Sequence, residues 1–225
     1  MSAGDIRLAV FDLDGTLLDS AQSIVDGVLA CWTHCGFPEP DPLAIRRIIG
    51  LPWEESIQAL LPGAGAAEFK MVRDYHDEVA RGTLPRPPRN EALFPGALET
   101  LDRLEEAGYV LAIVTSRGNR RLVQLLEEQR IGHRFASIKT VDHGPGKPNP
   151  YLLLQAMEET GAMRERTVMV GDTTYDVMMA RNAGTSAIGV SWGVHEPHEL
   201  TAAGAHHVVE AFDHISPTID ALLVR

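Results

Sequence analysis

The clearest pattern in the chain is a run of apolar positions, Ile6 to Phe11, that stops abruptly at Asp12-Leu13-Asp14-Gly15. An apolar run with little alternation predicts a parallel strand covered on both faces, with the acidic residues at its carboxyl end. The pattern then changes period. Asp19-Ser20 offers a helix start, and Ile24, Val28, Ala30, Cys31 and Trp32 recur with helical spacing up to Gly36. Pro42 to Ile49, Trp53 to Leu61 and Ala66 to Arg81 also read as helices, separated by Gly50-Leu51-Pro52 and Pro62-Gly63-Ala64-Gly65 and closed by the segment LPRPPRN. No strand is expected among them.

The next strand pattern is Val110–Thr115, so roughly 95 residues separate two strands where a βαβ unit needs only ~30. A helical insertion over residues 20–89 explains the gap, leaving 1–19 and 90–225 to form one α/β domain. From Pro95 onward helices and strands alternate. Helices are expected over Gly96–Ala107, Asn119–Gln129, Pro150–Thr160 and Asp176–Ala183, with strands near Ser137–Val141, at Thr167–Gly171 and at Ser186–Val190. His206–Val209 suits an edge strand before a last helix from about Ser216. The expected fold class is α/β, a doubly wound, mostly parallel, Rossmann-like sheet carrying an inserted helical cap.

Composition narrows the partners. The 225 residues carry a formal charge of −11 spread through helical segments, which argues against nucleic acid as a general partner. No apolar stretch approaches the ~20 residues of a membrane span, and the start MSAGDIRLAV lacks the features of a leader, so a cytoplasmic location is expected. Cys31 and Cys35 lie one helical turn apart and read as small buried hydrophobes rather than a disulfide or zinc pair.

Four strand ends hold the candidate chemistry, where ligands of open α/β sheets bind. The first offers Asp12 and Asp14, beside Gly15, whose backbone can turn sharply. The second offers Thr115, Ser116 and Arg117 ahead of a helix, a set that suits either anion binding or an ordinary helix start. The third is GPGKPNP; Lys147 stands out there in a chain with three lysines against seventeen arginines. In the fourth, VMVGDTTYD, capping and the helix dipole explain Asp176 but leave Asp172 unexplained. Carboxylates of Asp12, Asp14 and Asp172 suit Mg²⁺, a cation that favours carboxylates, water and substrate phosphate. A carboxylate is also able to act as a nucleophile toward phosphorus. Phosphoryl transfer, with a small phosphorylated metabolite as partner, is the chemistry these parts supply.

Taken together, DLDGT, the Thr115 strand end, Lys147 in GKPNP and GDTTYD resemble the four ordered motifs of the haloacid dehalogenase (HAD) superfamily across nearly the whole chain. GDTTYDVMMARNAG followed by GVSWG is most similar to the phosphoglycolate phosphatase-like branch. The resemblance implies that Asp12 attacks phosphorus and that Asp14 protonates the leaving alcohol, then activates water. It implies that Thr115 and Lys147 hold the phosphoryl oxygens. Asp172 would ligate Mg²⁺ with Asp12 and the backbone carbonyl of Asp14, and Asp176 would support the ion or Lys147. Ser116 and Arg117 join the substrate-binding set.

Relatives with other reactions differ at identifiable positions. Dehalogenases lack the second aspartate that Asp14 supplies. Phosphonate-cleaving relatives use an early cap lysine, where this insertion has only Lys70. Sugar phosphomutases carry Glu-Asp where this chain has Gly171-Asp172, and an arginine where it has Trp53. A phosphomutase and a non-catalytic phosphate-binding protein therefore stand as alternatives to a phosphatase. Arg46, Arg47 and Trp53 flank the Gly50 turn and are expected either to read the leaving group or to be solvated arginines and a core indole. His195 and His198 in HEPHE lack the metal spacing HExxH and are expected on a polar surface turn; His143 is expected on a loop near Lys147.

Overall fold

The computed structural model describes residues 6–89 and 91–223. Residues 1–5, Asn90 and residues 224–225 lie outside them. Among the described residues, six parallel strands form one sheet: β1 (Leu8–Phe11), β4 (Val110–Val114), β5 (Phe135–Lys139), β6 (Thr167–Gly171), β7 (Ser186–Val190) and β8 (His207–Val209), in the order β5-β4-β1-β6-β7-β8. Leu8 pairs with Val110 on one side and Thr167 on the other, so β1 is central and its carboxyl end opens between β4 and β6. Beyond that end lies the crevice expected of a doubly wound sheet.

Alternation within each strand divides the core between two faces. Ala9, Phe11, Leu111, Ile113, Val168 and Val170 face α5 (Ala97–Glu106), α6 (Asn119–Gln129) and α10 (Ile215–Leu223). Leu8, Val10, Ala112, Val114 and Met169 face α7 (Tyr151–Thr160) and α8 (Thr174–Ala183). With helices on both sides, the central strand β1 is apolar throughout, and the first polar residue after it, Asp12, stands just past its end. A short helix α9 (Pro197–Ala202) packs against β7 and β8.

Four helices, α1 (Ala21–Cys35), α2 (Pro42–Arg47), α3 (Trp53–Leu60) and α4 (Ala66–Arg81), intervene between β1 and β4. They have their own apolar cluster, in which Cys31, Trp32 and Cys35 of α1 meet Ile57, Val72 and Tyr75. Both cysteines are buried and free, and burial raises the pKa of each thiol. No described helix is long and apolar enough to cross a membrane.

Three local expectations are corrected. The segment flanking the insertion contains a two-stranded antiparallel ribbon, β2 (Leu18–Asp19) with β3 (Ala92–Leu93), which fastens its two ends together. Strands of two residues are too short to show a period. The fifth strand lies at Phe135–Lys139 rather than Ser137–Val141, because Phe135 pairs with Leu111 and Thr140 caps a 3₁₀ turn over Val141–His143. Ser20 does not cap α1; its hydroxyl turns instead to Asp14.

The doubly covered sheet makes α5 a sensitive point. Leu101→Ala removes a side chain with no solvent exposure from the face between α5 and the sheet. The expected loss is about 2–5 kcal/mol of unfolding free energy, seen as a lower urea midpoint with an unchanged slope.

Candidate active site

The sheet delivers Asp12 directly to the crevice: its amide donates to the Val170 carbonyl at 2.9 Å, continuing the β1–β6 pairing one step past the strand. The chain then reverses at Gly15, whose φ of 78° is a left-handed conformation costly for other residues. A Cβ on Gly15 would also lie 2.3 Å from Oδ2 of Asp172. From the opposite side, a Cβ on Gly193 would lie 2.1 Å from the Asp172 Cβ. Asp172 is therefore pressed between two bare backbones. Thr16 Oγ1 donates to its Oδ1 at 2.8 Å and the Val194 amide to its Oδ2 at 2.9 Å.

Lys147 is buried and sits 2.6 Å from both Asp12 Oδ1 and Asp176 Oδ1. The other oxygen of Asp176 accepts from the Thr173 amide and hydroxyl, at 3.1 and 2.6 Å, within the capping box of α8. This box starts α8 at Thr174, two residues ahead of Asp176, so Asp176 caps the helix with one oxygen and meets Lys147 with the other.

The charges here do not balance. Asp12, Asp172 and Asp176 offer oxygens within 4.8 Å of one another. Against Lys147 alone, these carboxylates leave two formal negative charges in a space without solvent. Burial pushes Asp12 well above the usual carboxylate range; Lys147 opposes this, while Asp176, Asp172 and Asp14 add to it. Burial and the neighbouring Asp176 push Asp172 up to about 7, against the pull of Thr16, Val194 and Lys147. Desolvation alone would lower the Lys147 pKa, but Asp12 and Asp176 more than offset it and hold the ammonium charged. Hard oxygen donors with an uncompensated double negative charge fit a divalent cation such as Mg²⁺.

Asp14 is held apart from this cluster. Arg117 grips its carboxylate with Nε at 2.6 Å and with Nη2, and the Ser20 hydroxyl donates to the same group. Burial would raise the Asp14 pKa; the charge and hydrogen bonds of Arg117, helped by Ser20, overcome it and leave it lowered. Arg117 also meets Glu91 at 3.0 Å, and Arg121 meets the other Glu91 oxygen at 2.6 Å. Thr115 is buried at the end of β4, its Oγ1 accepting from the Arg117 amide at 3.2 Å. Ser116 reaches the insertion instead, donating to the Gly50 carbonyl at 2.5 Å.

Thr16, Glu91 and Gly193 do not stand out in the sequence, and Ser20 does so only as a helix start. Thr16 and Gly193 sit inside the quoted motifs DLDGT and GVSWG, but nothing in one sequence shows that both touch Asp172. Glu91 follows a proline-rich segment without periodicity.

The insertion's candidates divide. Trp53 is 38% exposed, packs edge-on to Phe69 and lies under Arg73. It lines a cavity of about 580 Å³ between the insertion and the sheet domain, together with Asp14, Ser116 and Arg117. Arg46 donates to Gln22 at 2.9 Å, and Arg47 makes a two-pronged contact with Glu199; neither lines that cavity. His195 departs from the expected surface turn: it is 4% exposed, accepts from the Thr174 amide through Nδ1 at 3.0 Å and approaches the Arg47 carbonyl through Nε2 at 3.3 Å. Those two bonds, each to a backbone group, draw the ring in between α2 and α8. Burial lowers its pKa, so the ring is neutral with the proton on Nε2. His198 is exposed, and His143 lies on the exposed 3₁₀ turn near Lys147.

A doubly wound parallel sheet that gathers buried aspartates and a lysine at its carboxyl edge, beneath a helical insertion, defines an α/β enzyme with an aspartate-centred site. Residues 9–190 match the haloacid dehalogenase-like hydrolase family, and the chain belongs to that family. A relative from Dickeya dadantii, named "Probable phosphatase IndB", is 37% identical over 96% of this chain and 94% of its own length. The phosphoglycolate phosphatase of Vibrio parahaemolyticus is 27% identical, over 96% of each chain. The crystal structure of a hydrolase from Pseudomonas syringae matches with a TM-score of 0.82 at 25% identity, over 96% of this chain and 99% of that one. The protein is an enzyme, a phosphatase of this hydrolase family.

The raised Asp172 pKa has a testable sign. Against its ordinary value of 3.8, a folded-state value of about 7 means that the native protein keeps a proton that the unfolded chain loses between those limits. In metal-free protein, this group makes stability increase as pH falls from about 7 toward 4. A divalent cation competes for the same carboxylate, so magnesium should raise Tm more at about pH 8 than at about pH 6. In Asp172→Asn that difference should shrink. Calorimetry with magnesium and with chelator at both pH values measures it.

Proposed function

We propose that this protein is a Mg²⁺-dependent phosphatase that hydrolyses a small phosphate monoester through an aspartyl phosphate. In this reading the α/β domain of residues 1–19 and 90–225 performs the chemistry, and the helical unit of residues 20–89 serves as its cap. The observation that carries it is the buried contact of Lys147 with Asp12 and Asp176, at 2.6 Å each, beside the uncompensated Asp172.

Asp12 supplies the nucleophilic oxygen: as its bond to phosphorus forms, the bond from phosphorus to the leaving alcohol breaks. Lys147 is fixed where it neutralises phosphoryl oxygens near that carboxylate, with Asp176 and Thr173 setting its position. Thr115, at the end of the adjacent strand, offers its hydroxyl to the same group. A divalent cation held by Asp12, Asp172 and the Asp14 backbone, with Asp176 close by, would neutralise negative charge on the transferring group.

Asp14 has two tasks. It gives a proton to the departing alcohol oxygen and then takes one from the water that attacks the phosphorylated Asp12, returning the carboxylate and releasing phosphate. Its pairing with Arg117 and Ser20 holds the anionic form needed for the second task. The first task requires Asp14 to take up a proton as Arg117 turns toward Glu91 or the phosphate. The link from Glu91 through Arg117 to Asp14 therefore ties the proton donor to the segment that leaves the insertion.

Phosphate release from ethyl phosphate and 4-nitrophenyl phosphate tests this reading. Release should require magnesium, stop with chelator and fall to background in Asp12→Asn. Asp14→Asn should lose about 10²–10⁴-fold on the alkyl ester and much less on the nitrophenyl ester, whose leaving group departs as a stable anion. Isomerisation of a sugar phosphate with little free phosphate would indicate a phosphomutase. Phosphate binding without turnover would indicate a binding protein.

A further inference from the structure

The cavity that starts at Asp14, Ser116 and Arg117 runs into the helical insertion and has about 580 Å³ of room. Two carbons and three oxygens of a glycolate leaving group would fill on the order of 150 Å³, at ~30 Å³ per water-sized group. Most of the cavity would remain beside walls that include Ile24, Val28, Trp32, Ile57, Leu60 and Val72. The cations nearest the reacting end are already committed. Arg117 holds Asp14 and Glu91, and Arg89 lies 3.5 Å from Glu91; Arg73, His76 and Asp77 also line the cavity.

Two features of α1 sharpen the picture. Gly27 lies in the middle of the helix and lines the cavity, and a Cβ added there would meet no heavy atom within 4 Å. Glycine destabilises a helix interior, and here no contact demands it; its effect is to leave space. One turn and a half further on, Trp32 also lines the cavity. It is 3% exposed, and its indole N–H finds no acceptor among the described residues. That nitrogen is turned away from the open space, so Trp32 offers the cavity its apolar ring.

Building on the phosphatase reading, we infer that the substrate is a phosphate monoester whose leaving group is bulky, mainly apolar and ring-sized. The insertion selects by apolar fit. Trp53, at the cavity wall, contributes a flat face to the same enclosure.

Esters with similar primary-alcohol leaving groups separate fit from leaving ability: ethyl phosphate, 2-phenylethyl phosphate and 2-(4-pyridyl)ethyl phosphate, with 2-phosphoglycolate alongside. Phosphate release in magnesium should show kcat/KM at least tenfold higher for the phenylethyl ester than for ethyl phosphate or phosphoglycolate. The pyridyl ester, of the same size but more polar, should fall below the phenyl ester. Gly27→Leu, which improves helix propensity and should keep the urea midpoint, should reduce the phenylethyl-to-ethyl ratio at least fivefold. Calorimetric titration of Asp12→Asn with the same esters gives the binding order without turnover.

Phosphoglycolate turned over or bound as well as the phenylethyl ester would overturn the inference and leave the phosphatase reading standing. A Gly27→Leu protein with an unchanged ratio would do the same. A pyridyl ester turned over better than the phenyl ester would also overturn selection by apolar fit. Absence of turnover with every ester would instead sink the phosphatase reading, and the binding order would still decide the character of the cavity.

Discussion

Three carboxylates and one ammonium share a space closed to water at the carboxyl end of a parallel sheet, and much of the molecule is arranged to keep them there. An isolated buried charge is expensive, and a group so placed takes up a proton or finds a counter-charge. Asp172 shows the conflict directly: burial and Asp176 favour its neutral form, while Thr16, the Val194 amide and Lys147 favour its anion. The sheet meets this cost with covalent geometry. β1 and β6 are adjacent and in register, so Asp12 and Asp172 leave neighbouring strands at neighbouring levels, and Gly15 and Gly193 remove the Cβ atoms that would prevent close approach.

The insertion is bound to that centre through a few polar contacts. Its α2–α3 turn meets the sheet domain through the Ser116 bond to Gly50, the buried His195 beneath the Arg47 carbonyl, and the Arg47–Glu199 contact. The last of these is partly exposed and contributes little on its own. The His195 ring matters more, because one nitrogen is tied to the first turn of α8 and the other to α2. Asp176, two residues along the same helix turn, touches Lys147. Placement of the insertion and placement of the lysine thus share one helix start.

How much of this was readable from the chain depends on the range of each interaction. Strand ends were legible because two-sided burial writes uninterrupted apolar runs, and Asp12 and Asp172 stand where the runs at Phe11 and Gly171 stop. The helices between β1 and β4 are legible for a complementary reason: they carry a 3.6-residue period, and α4 starts and stops at the expected residues, Ala66 and Arg81. By contrast, the β2–β3 ribbon joins residues more than seventy positions apart through two pairs, which no local period encodes. His195 was misplaced on the surface for a similar reason. A histidine between valine and glutamate looks solvated until the Thr174 and Arg47 backbones, distant in sequence, are seen to enclose it.

Asp14 shows why residue type alone does not define a role. It stands two positions from Asp12 and has the same side chain, yet the two experience opposite environments. Asp12 faces a lysine and two further carboxylates, and burial pushes its pKa up; Asp14 is equally buried, but a two-pronged arginine and a serine hydroxyl bring its pKa down. That separation arises because successive turns after β1 point the two side chains at different partners, one on β6 and the lysine loop, the other at the end of β4 and on the segment returning from the insertion. Lys147 is the cation beside Asp12 and Arg117 the one beside Asp14, so each carboxylate answers to its own counter-charge. Glu91, next to β3, extends the second environment to the segment that returns from the insertion, because Arg117 meets both it and Asp14.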